Sequence, residues 1–151
     1  FNSETFAHAW VDSTLVPLVM QDSVKVSTIS MGVEVLTTMP HLSDYLLPAI
    51  MSVHTGLVKA NLSDRIMVTT THSMGVLDTT YPPSRACFKN TIGNTYMKPI
   101  VDYLKAIRSF YMVNAYPYHA YIADSKDIAL DFALFEPVLG IRITPHRDRL
   151  D

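Results

Sequence analysis

Residues 24–34 read Val-Lys-Val-Ser-Thr-Ile-Ser-Met-Gly-Val-Glu, and this stretch is the most informative in the chain. Its first eight residues, 24–31, are rich in β-branched side chains, which favour a strand. Gly32 and then the carboxylate of Glu34 follow them. In barrels of alternating strands and helices, catalytic residues collect at the carboxyl ends of the strands. The stretch therefore predicts a buried parallel strand that delivers Glu34 to a candidate active site.

Helical and strand patterns alternate along the rest of the chain. Apolar residues at three- and four-residue steps predict helices at 3–15, 43–60 and 96–108, with Ser3 and Ser43 as N-terminal caps. Short apolar runs predict strands at 66–71 and 110–116. Strands joined by amphipathic helices imply right-handed βαβ units and a parallel α/β sheet. On these patterns alone, a doubly wound sheet and a barrel fit equally well.

Composition excludes several classes of function. The 151 residues are 48% hydrophobic and 17% charged, which is typical of a globular domain. A formal charge of −2 gives no basic surface for nucleic acid or anionic lipid. No apolar run approaches the roughly 20 residues of a membrane-spanning helix. Cys87 is the only cysteine. We expect no nucleic-acid partner, no membrane-spanning segment and no disulfide framework.

The histidines and hydroxyl residues give no sign of a cofactor. The six histidines show no pair at metal-binding helical spacing and no carboxylate motif around them. Residues 69–73 are rich in hydroxyl groups but lack the glycines and lysine of a phosphate-binding loop. We therefore predict no metal site and no cofactor.

Seven short segments carry a more specific signal. They are Ala9-Trp-Val, Glu34-Val-Leu, Leu46-Leu-Pro-Ala-Ile, Ile66-Met-Val-Thr-Thr, Tyr81-Pro-Pro-Ser, Met112-Val-Asn-Ala-Tyr-Pro-Tyr and Ile128-Ala-Leu-Asp-Phe-Ala-Leu-Phe. In this order and at these spacings they resemble the plant glycoside hydrolases of family 17, the endo-1,3-β-glucanases. The resemblance extends to about residue 137, and residues 138–151 form an atypical tail.

The resemblance implies an α/β fold of the (β/α)8 TIM-barrel type. A complete barrel takes about 250 residues. Residues 1–151 are therefore expected to be a partial catalytic domain, a fragment that covers roughly the third helix through the sixth strand.

The resemblance also implies that Glu34 is the general acid/base. The family's motif Val-Gly-Asn-Glu-Val corresponds to residues 31–35, where Val33 takes the place of the asparagine. That asparagine is expected to bond the sugar near its 2-hydroxyl, a contact that strengthens in the transition state. Because a valine side chain neither donates nor accepts a hydrogen bond, we expect Val33 to slow catalysis.

A retaining glycosidase needs a second carboxylate about 5 to 5.5 Å from the first. The glutamates of this chain are Glu4, Glu34 and Glu136. Neither Glu4 nor Glu136 lies in the Ser-Glu-Thr/Ser-Gly-Trp-Pro motif that carries the family's nucleophile. We expect the fragment to lack the nucleophile and to be inactive by itself.

The predicted strand at 110–116 supplies the substrate-binding candidates. The resemblance implies that Asn114 and Tyr116 line the glucan cleft, the amide bonding sugar hydroxyls and the phenol lying near the scissile bond. Tyr118, with His119 and Tyr121, is expected in the following loop, where exposed rings can stack on sugar faces. Aromatic residues at alternate strand positions also fill protein cores, and that alternative stays open.

The resemblance therefore implies a glucan endo-1,3-β-glucosidase that hydrolyses internal linkages of 1,3-β-glucan with retention and without a cofactor. Its expected location is the cell wall, apoplast or vacuole. Two alternatives stay open: a non-hydrolytic β-glucan-binding protein of the same family, and an allergen-like interaction protein. Asn61-Leu-Ser is a glycosylation sequon, which matters only in a secreted protein. The sequence does not indicate an oligomeric state.

Overall fold

The computed structural model describes residues 3–21, 24–80 and 83–136, along which helices and strands alternate. The first elements are α1 (Glu4–Trp10), a π-helical stretch (Val11–Leu15), α2 (Val16–Val19), β1 (Thr28–Val33), α3 (Val35–Thr38), a 3-10 turn (Pro40–Leu42) and α4 (Ser43–Lys59). They are followed by β2 (Met67–Ser73), a 3-10 turn (Met74–Val76), β3 (Leu77–Thr79), a 3-10 turn (Pro83–Arg85), β4 (Cys87–Phe88) and α5 (Asn90–Ile92). The last described elements are a π-helical stretch (Gly93–Met97), α6 (Lys98–Ala106), β5 (Met112–Asn114), α7 (Pro117–Ala123) and α8 (Leu130–Ala133).

Three strands form a parallel sheet in the order β1-β2-β5. Thr28 pairs with Met67 near the start of β1, and after a shift of register Val33 pairs with Thr71 at its end. Because the strands are parallel, their carboxyl ends meet on one side of the sheet, which we call the carboxyl edge. The mixed α/β class and the parallel sheet predicted from the sequence are confirmed.

Helix α4 supplies the centre of the hydrophobic core. Its buried apolar side chains recur at three- and four-residue steps, and they are Leu46, Ile50, Val53 and Leu57. Gly56 of α4 faces the N-terminal helical segment, and a Cβ atom added to it would lie 3.0 Å from Val11 Cγ2. The glycine thus lets the N-terminal helical segment approach α4 closely, and α4 also packs against β1 and β2. This packing fixes the sheet from which the candidate site is built.

All three strands of the parallel sheet differ in their boundaries from the sequence prediction, and the second, predicted at 66–71, is Met67–Ser73. The first strand is predicted at 24–31, whereas β1 begins at Thr28 and continues to Val33. The reason is pairing: β2 begins at Met67, opposite Thr28, so the residues before Thr28 lie outside the ladder. The strand predicted at 110–116 is also too long, since β5 is only Met112–Asn114.

One of the two predicted helix caps is confirmed. The Ser3 side chain accepts a hydrogen bond from the Phe6 N–H at 3.4 Å and caps α1. The prediction for Ser43 is wrong, because this residue is the buried first residue of α4 and Leu42 holds the cap position without a side-chain bond. The 3-10 turn that precedes α4 runs directly into it, so the helix begins without a side-chain cap.

Two compact units divide the chain, Phe1–Asn114 and Ala115–Asp151. The first contains the sheet and α1 to α6. In the second, α7 packs against α8 and Ala133 is buried. Residues 81–82 of one family-like segment, and the tail at 138–151, lie outside the described residues.

Candidate active site

Glu34 directly follows β1 and lies at the carboxyl edge. Its backbone has φ 54° and ψ 30°, the left-handed region that residues other than glycine seldom adopt. Its N–H donates to the carbonyl oxygen of Thr71, in the neighbouring strand β2, at 2.7 Å. The acid is therefore tied to the middle strand of the sheet by its own backbone.

Two threonines hold the other side of the Glu34 peptide. The Glu34 carbonyl oxygen accepts from the backbone N–H of Thr37 at 3.0 Å and of Thr38 at 2.9 Å. It also accepts from the Thr37 hydroxyl at 3.0 Å and the Thr38 hydroxyl at 2.9 Å. Four donors share the two lone pairs of this one oxygen, and bonds worth about 1 kcal/mol each when unshared offset part of the roughly 1–3 kcal/mol that a strained backbone conformation of this kind costs. We call these two residues the threonine pair.

Gly32 makes the turn into Glu34 possible. It has a φ of 69°, also in the left-handed region. A Cβ atom at this position would lie 2.5 Å from Cγ2 of Val35, which is buried. Since only glycine tolerates both the dihedral angle and the close approach, Gly32 is required by the turn that orients the acid.

Asn114 ends β5 on the far side of β2, where it pairs with Ser73. Its side-chain Nδ2 donates to Glu34 Oε1 at 2.8 Å. This bond reaches from β5 across the middle strand to the residue that follows β1. The structure thus brings two of the predicted site residues into direct contact at the carboxyl edge.

The amide fixes the two oxygens of the Glu34 carboxyl group in different roles. An amide N–H only donates, so Oε1 accepts its bond whether the carboxyl group is ionised or protonated. Because the carbonyl oxygen of a carboxylic acid is a better acceptor than its hydroxyl oxygen, this bond favours a proton on Oε2 over one on Oε1. Within the described part of the chain no lysine or arginine forms an ion pair with Glu34. The arrangement can donate and accept one proton at a defined atom.

Val33 is the last residue of β1 and is 58% exposed. It presents an isopropyl group to solvent immediately beside the acid. A large apolar side chain at such a place gains little from burial and makes no polar contact. Nothing in the structure explains why valine stands here.

His72 is a buried neighbour of the site that the sequence analysis did not single out. Its side chain is fully buried in β2, and neither ring nitrogen has a hydrogen-bond partner among the described residues. The Tyr111 ring lies 5.7 Å away, centroid to centroid. Burial lowers the pKa of His72, and the charge of Glu34 acts in the opposite direction with a smaller effect. The histidine is thus electrostatically coupled to the acid.

The sequence predicts Tyr116 on the strand and Tyr118 in the loop after it, and both placements are wrong. Tyr116 occupies the cap position of α7, and Tyr118 lies in the first turn of that helix where a loop is expected. Pro117 sets the helical dihedral at the first position, which is why the chain turns into a helix there. Both rings are exposed, Tyr116 against the His119 ring at 5.5 Å and Tyr118 against the Tyr121 ring at 6.2 Å.

The other two glutamates have surface roles. Glu4 Oε1 lies 3.7 Å from Lys59 Nζ and 3.5 Å from His8 Nε2. Lys59 ends α4, and the chain passes from there to the start of β2, so Glu4 lies at the end of the sheet opposite Glu34. Glu136 is exposed in the second unit. Glu4 is therefore not positioned as a second carboxylate for this site.

Among residues 3–21, 24–80 and 83–136 there is no cluster of three or more histidine, cysteine and carboxylate side chains that could hold a metal ion. In the same residues no helix combines the length and apolar character needed to cross a bilayer. The sequon residue Asn61 is exposed just beyond α4, at the predicted helix end.

Comparison with known proteins identifies the family of this chain. Residues 1–139 match the sequence profile described as glycosyl hydrolases family 17. Glucan endo-1,3-beta-glucosidase 1 of Arabidopsis thaliana is 35% identical over 150 residues, which are 99% of this chain and 28% of the relative. Glucan endo-1,3-beta-glucosidase 11 of the same plant is 35% identical over 136 residues, 89% of this chain and 31% of the relative. The chain thus spans between 23% and 34% of the length of the curated plant relatives compared with it.

Two solved structures of plant glucanases also match this chain. CJP38, a beta-1,3-glucanase and allergen of Cryptomeria japonica pollen, superposes with a TM-score of 0.80 and 36% identity, covering 90% of this chain and 42% of that chain. One of two plant beta-glucan endohydrolases with distinct substrate specificities gives a TM-score of 0.76 and 30% identity over 89% of this chain and 41% of that chain. With most of its length matched by the family profile and by both structures, the chain belongs to family 17 of the glycosyl hydrolases.

Proposed function

We propose that this chain is the part of a retaining endo-1,3-β-glucanase that carries its general acid/base, Glu34. The observation that carries the proposal is the placement of Glu34: a carboxyl group at the carboxyl edge, held through its backbone and bonded by Asn114 at 2.8 Å. The substrate class comes from relatives described as glucan endo-1,3-beta-glucosidases.

In the first step Glu34 protonates the glycosidic oxygen from Oε2 while a nucleophilic carboxylate attacks the anomeric carbon. The bond from the anomeric carbon to the protonated oxygen breaks and the leaving sugar departs. In the second step the ionised Glu34 removes a proton from water, whose oxygen bonds the anomeric carbon as the bond to the nucleophilic carboxylate breaks, so the sugar is released with its original anomeric configuration. Asn114 holds Oε1 throughout, so the same oxygen, Oε2, faces the reacting atoms in both steps.

The nucleophile belongs to the remainder of the full-length protein in this proposal. A retaining mechanism needs it about 5 to 5.5 Å from Glu34, and Glu4 lies at the opposite end of the sheet. The three parallel strands are then part of a (β/α)8 barrel, and this chain contributes roughly its third helix through its sixth strand. Barrel closure would bring the second carboxylate to the same carboxyl edge.

Sugar recognition is assigned to Asn114, Tyr116, Tyr118 and the position of Val33. The exposed tyrosine rings suit stacking on sugar faces, since each presents a flat apolar surface with a polar tip. Val33 occupies the place of a sugar-bonding asparagine and leaves that contact unmade. We further propose that the protein acts where 1,3-β-glucan is found, in the cell wall, the apoplast or the vacuole.

The proposal is tested with the full-length protein on a soluble 1,3-β-glucan and, for comparison, on a 1,4-β-glucan. Nuclear magnetic resonance of the fresh products should show the β-anomer first, and only the 1,3-linked polymer should be cleaved. Glu34→Gln should lower kcat by about 10²–10⁴-fold, whereas Glu4→Gln should leave it unchanged. Binding of 1,3-β-glucan without any release of sugar would overturn the enzymatic proposal in favour of a glucan-binding protein.

A further inference from the structure

The single Asn-X-Ser/Thr tripeptide of the chain, Asn61-Leu62-Ser63, lies on the surface after α4. Asn61 is exposed and Ser63 is half-buried. Asparagine-linked glycosylation needs this tripeptide, with any residue except proline in the middle, at an accessible place on a secreted protein. The proposed enzymatic function uses none of these three residues.

The backbone at Asn61 has a structural explanation of its own. With φ 55°, Asn61 takes the left-handed position just past the helix end. Its N–H donates to Val58 O at 3.1 Å, and the Leu62 N–H donates to Leu57 O at 2.9 Å. These two bonds form a Schellman motif, in which glycine is the usual residue and asparagine the next. The motif accounts for a small residue at position 61.

The Schellman motif does not account for the side chains of the sequon. It uses only backbone groups and the buried anchor Leu62. The Asn61 side chain and the Ser63 hydroxyl make no hydrogen bond to any other described residue. The motif holds Leu62 in the core while it turns the Asn61 amide outward, so a group attached to that amide would enter solvent.

The position also keeps an attached group away from the candidate active site. Asn61 precedes β2, and Glu34 bonds Thr71 near the other end of that strand. Strand β2 spans Met67–Ser73, and at roughly 3.3 Å per residue the two ends are about 20 Å apart. The carboxyl edge would therefore remain open to a polysaccharide when Asn61 is modified.

We propose that Asn61 is a site of asparagine-linked glycosylation. The inference rests on the secretory location included in the proposed function. The donor is a lipid diphosphate-linked oligosaccharide. A bond forms between the Asn61 amide nitrogen and the first sugar carbon, the bond from that carbon to the diphosphate oxygen breaks, the amide gives up one proton, and the lipid diphosphate leaves.

The test directs the full-length protein through the secretory pathway of cultured plant cells and maps its peptides by mass spectrometry. Enzymatic release of the glycan in ¹⁸O-labelled water should leave an isotope-marked aspartate at position 61. Ser63→Ala should abolish the mark although Asn61 is retained, and Ser63→Thr should preserve it. Asn61→Gly is the matched structural control, because glycine keeps the Schellman motif and removes only the acceptor amide.

The readout is a peptide mass, so it does not depend on catalytic activity. Asn61→Gly should be secreted without the glycan and should cleave 1,3-β-glucan with an unchanged kcat. An unmodified Asn61 on the secreted wild-type protein would overturn the inference while leaving the enzymatic proposal untouched. A glycan that persists in Ser63→Ala would equally contradict it.

Discussion

At the scale of single residues, the chemistry depends on how Glu34 is held. Its side chain meets Asn114, and its peptide is bonded on both sides, by Thr71 and by the threonine pair. A left-handed glutamate is rare, and strain of this kind is found where surrounding contacts over-determine the backbone. These contacts therefore hold Glu34 in its strained conformation and direct its carboxyl group to one place.

Val33 gives the first prediction. In the full-length protein, Val33→Asn should raise kcat more than it lowers KM, because a contact realised mainly in the transition state appears in the rate. A gain of about a hundredfold corresponds to roughly 2.7 kcal/mol. The changes in kcat and KM are measured by steady-state kinetics on one glucan. The isosteric Val33→Thr variant is the control for an effect of polarity alone. Equal kcat values for Val33 and Val33→Asn would mean that this position does not bond the sugar.

His72 gives a prediction about stability and pH. Burial lowers its pKa from 6.5, so below about pH 6.5 the unfolded protein binds a proton that the folded protein does not. The free energy of unfolding should therefore fall as the pH drops through that range, by up to about 1.4 kcal/mol per pH unit for one group. His54, whose pKa is also lowered by burial, should add to the slope.

The measurement is urea unfolding of the full-length protein on both sides of pH 6.5. His72→Leu should flatten the dependence, because leucine carries no titrating group and leaves no unpaired ring nitrogen. His41→Gln, at an exposed position, should leave it as in the wild type. A pH dependence identical in His72→Leu and wild type would show that His72 does not titrate in this way.

At the scale of elements, the turn from β1 into α3 makes the site. Gly32 lets the strand turn, Glu34 follows in the left-handed region, and the threonine pair closes the first turn of α3 on its carbonyl oxygen. The sequence signal for this turn is two threonines at the third and fourth positions after the acid. Local back-bonding of threonine hydroxyls is a known competitor of regular helix geometry.

The threonine pair gives the third prediction. Replacing both residues with valine keeps shape and removes two hydroxyl donors to the Glu34 carbonyl. Because small displacements of a catalytic group are costly, kcat should fall by roughly tenfold to a hundredfold with KM little changed. The double change to serine restores the hydroxyl groups and should recover most of the activity. Equal kcat in the valine and serine variants would exclude a positioning role for the hydroxyls.

The residues of the candidate site could be predicted from the sequence better than the ends of the strands that carry them. Glu34 at a strand end and Asn114 on a later strand follow from local patterns and from the family resemblance, and the structure places them together. The start of β1 and the end of β5 do not follow, because they depend on which residues the neighbouring strand offers for pairing. Pro117 is a local signal for a helix that begins after Tyr116. The sequence prediction follows the apolar strand pattern at 110–116 instead, and so it places Tyr116 on the strand.

The roles of the buried polar residues do not follow from the sequence for a related reason. Thr71 and His72 sit in a run that favours a strand, and nothing in their spacing distinguishes a residue that bonds Glu34 from one that fills the core. Their roles depend on contacts with residues about 40 positions away along the chain, as for Thr71 with Glu34. Only the folded register reveals them.

At the scale of the whole molecule, β1 and β5 are the outer strands of the three-stranded sheet, and no strand among residues 3–21, 24–80 and 83–136 pairs with their outer edges. Several large apolar side chains on its strands are exposed, including Val33, Met67, Met112 and Val113. Exposed strand edges with apolar side chains favour association with other chains. We therefore predict that residues 1–151 expressed alone bind a hydrophobic dye, melt without a sharp transition and release no sugar from 1,3-β-glucan. Reducing-sugar release above that of Glu34→Gln, or a cooperative melt of the monomer, would contradict this.

Two substrates of the full-length Glu34→Gln variant, compared in the presence of azide, show whether Glu34 is the general acid/base of a retaining enzyme. On 1,3-β-glucan, whose leaving group needs a proton, the loss of kcat should be about 10²–10⁴-fold. On an aryl β-glycoside of a 1,3-linked oligosaccharide with an acidic phenol, bond cleavage needs no proton donor, and azide should restore turnover and give the β-glycosyl azide. An equal loss on both substrates, with no rescue by azide, would contradict the assignment.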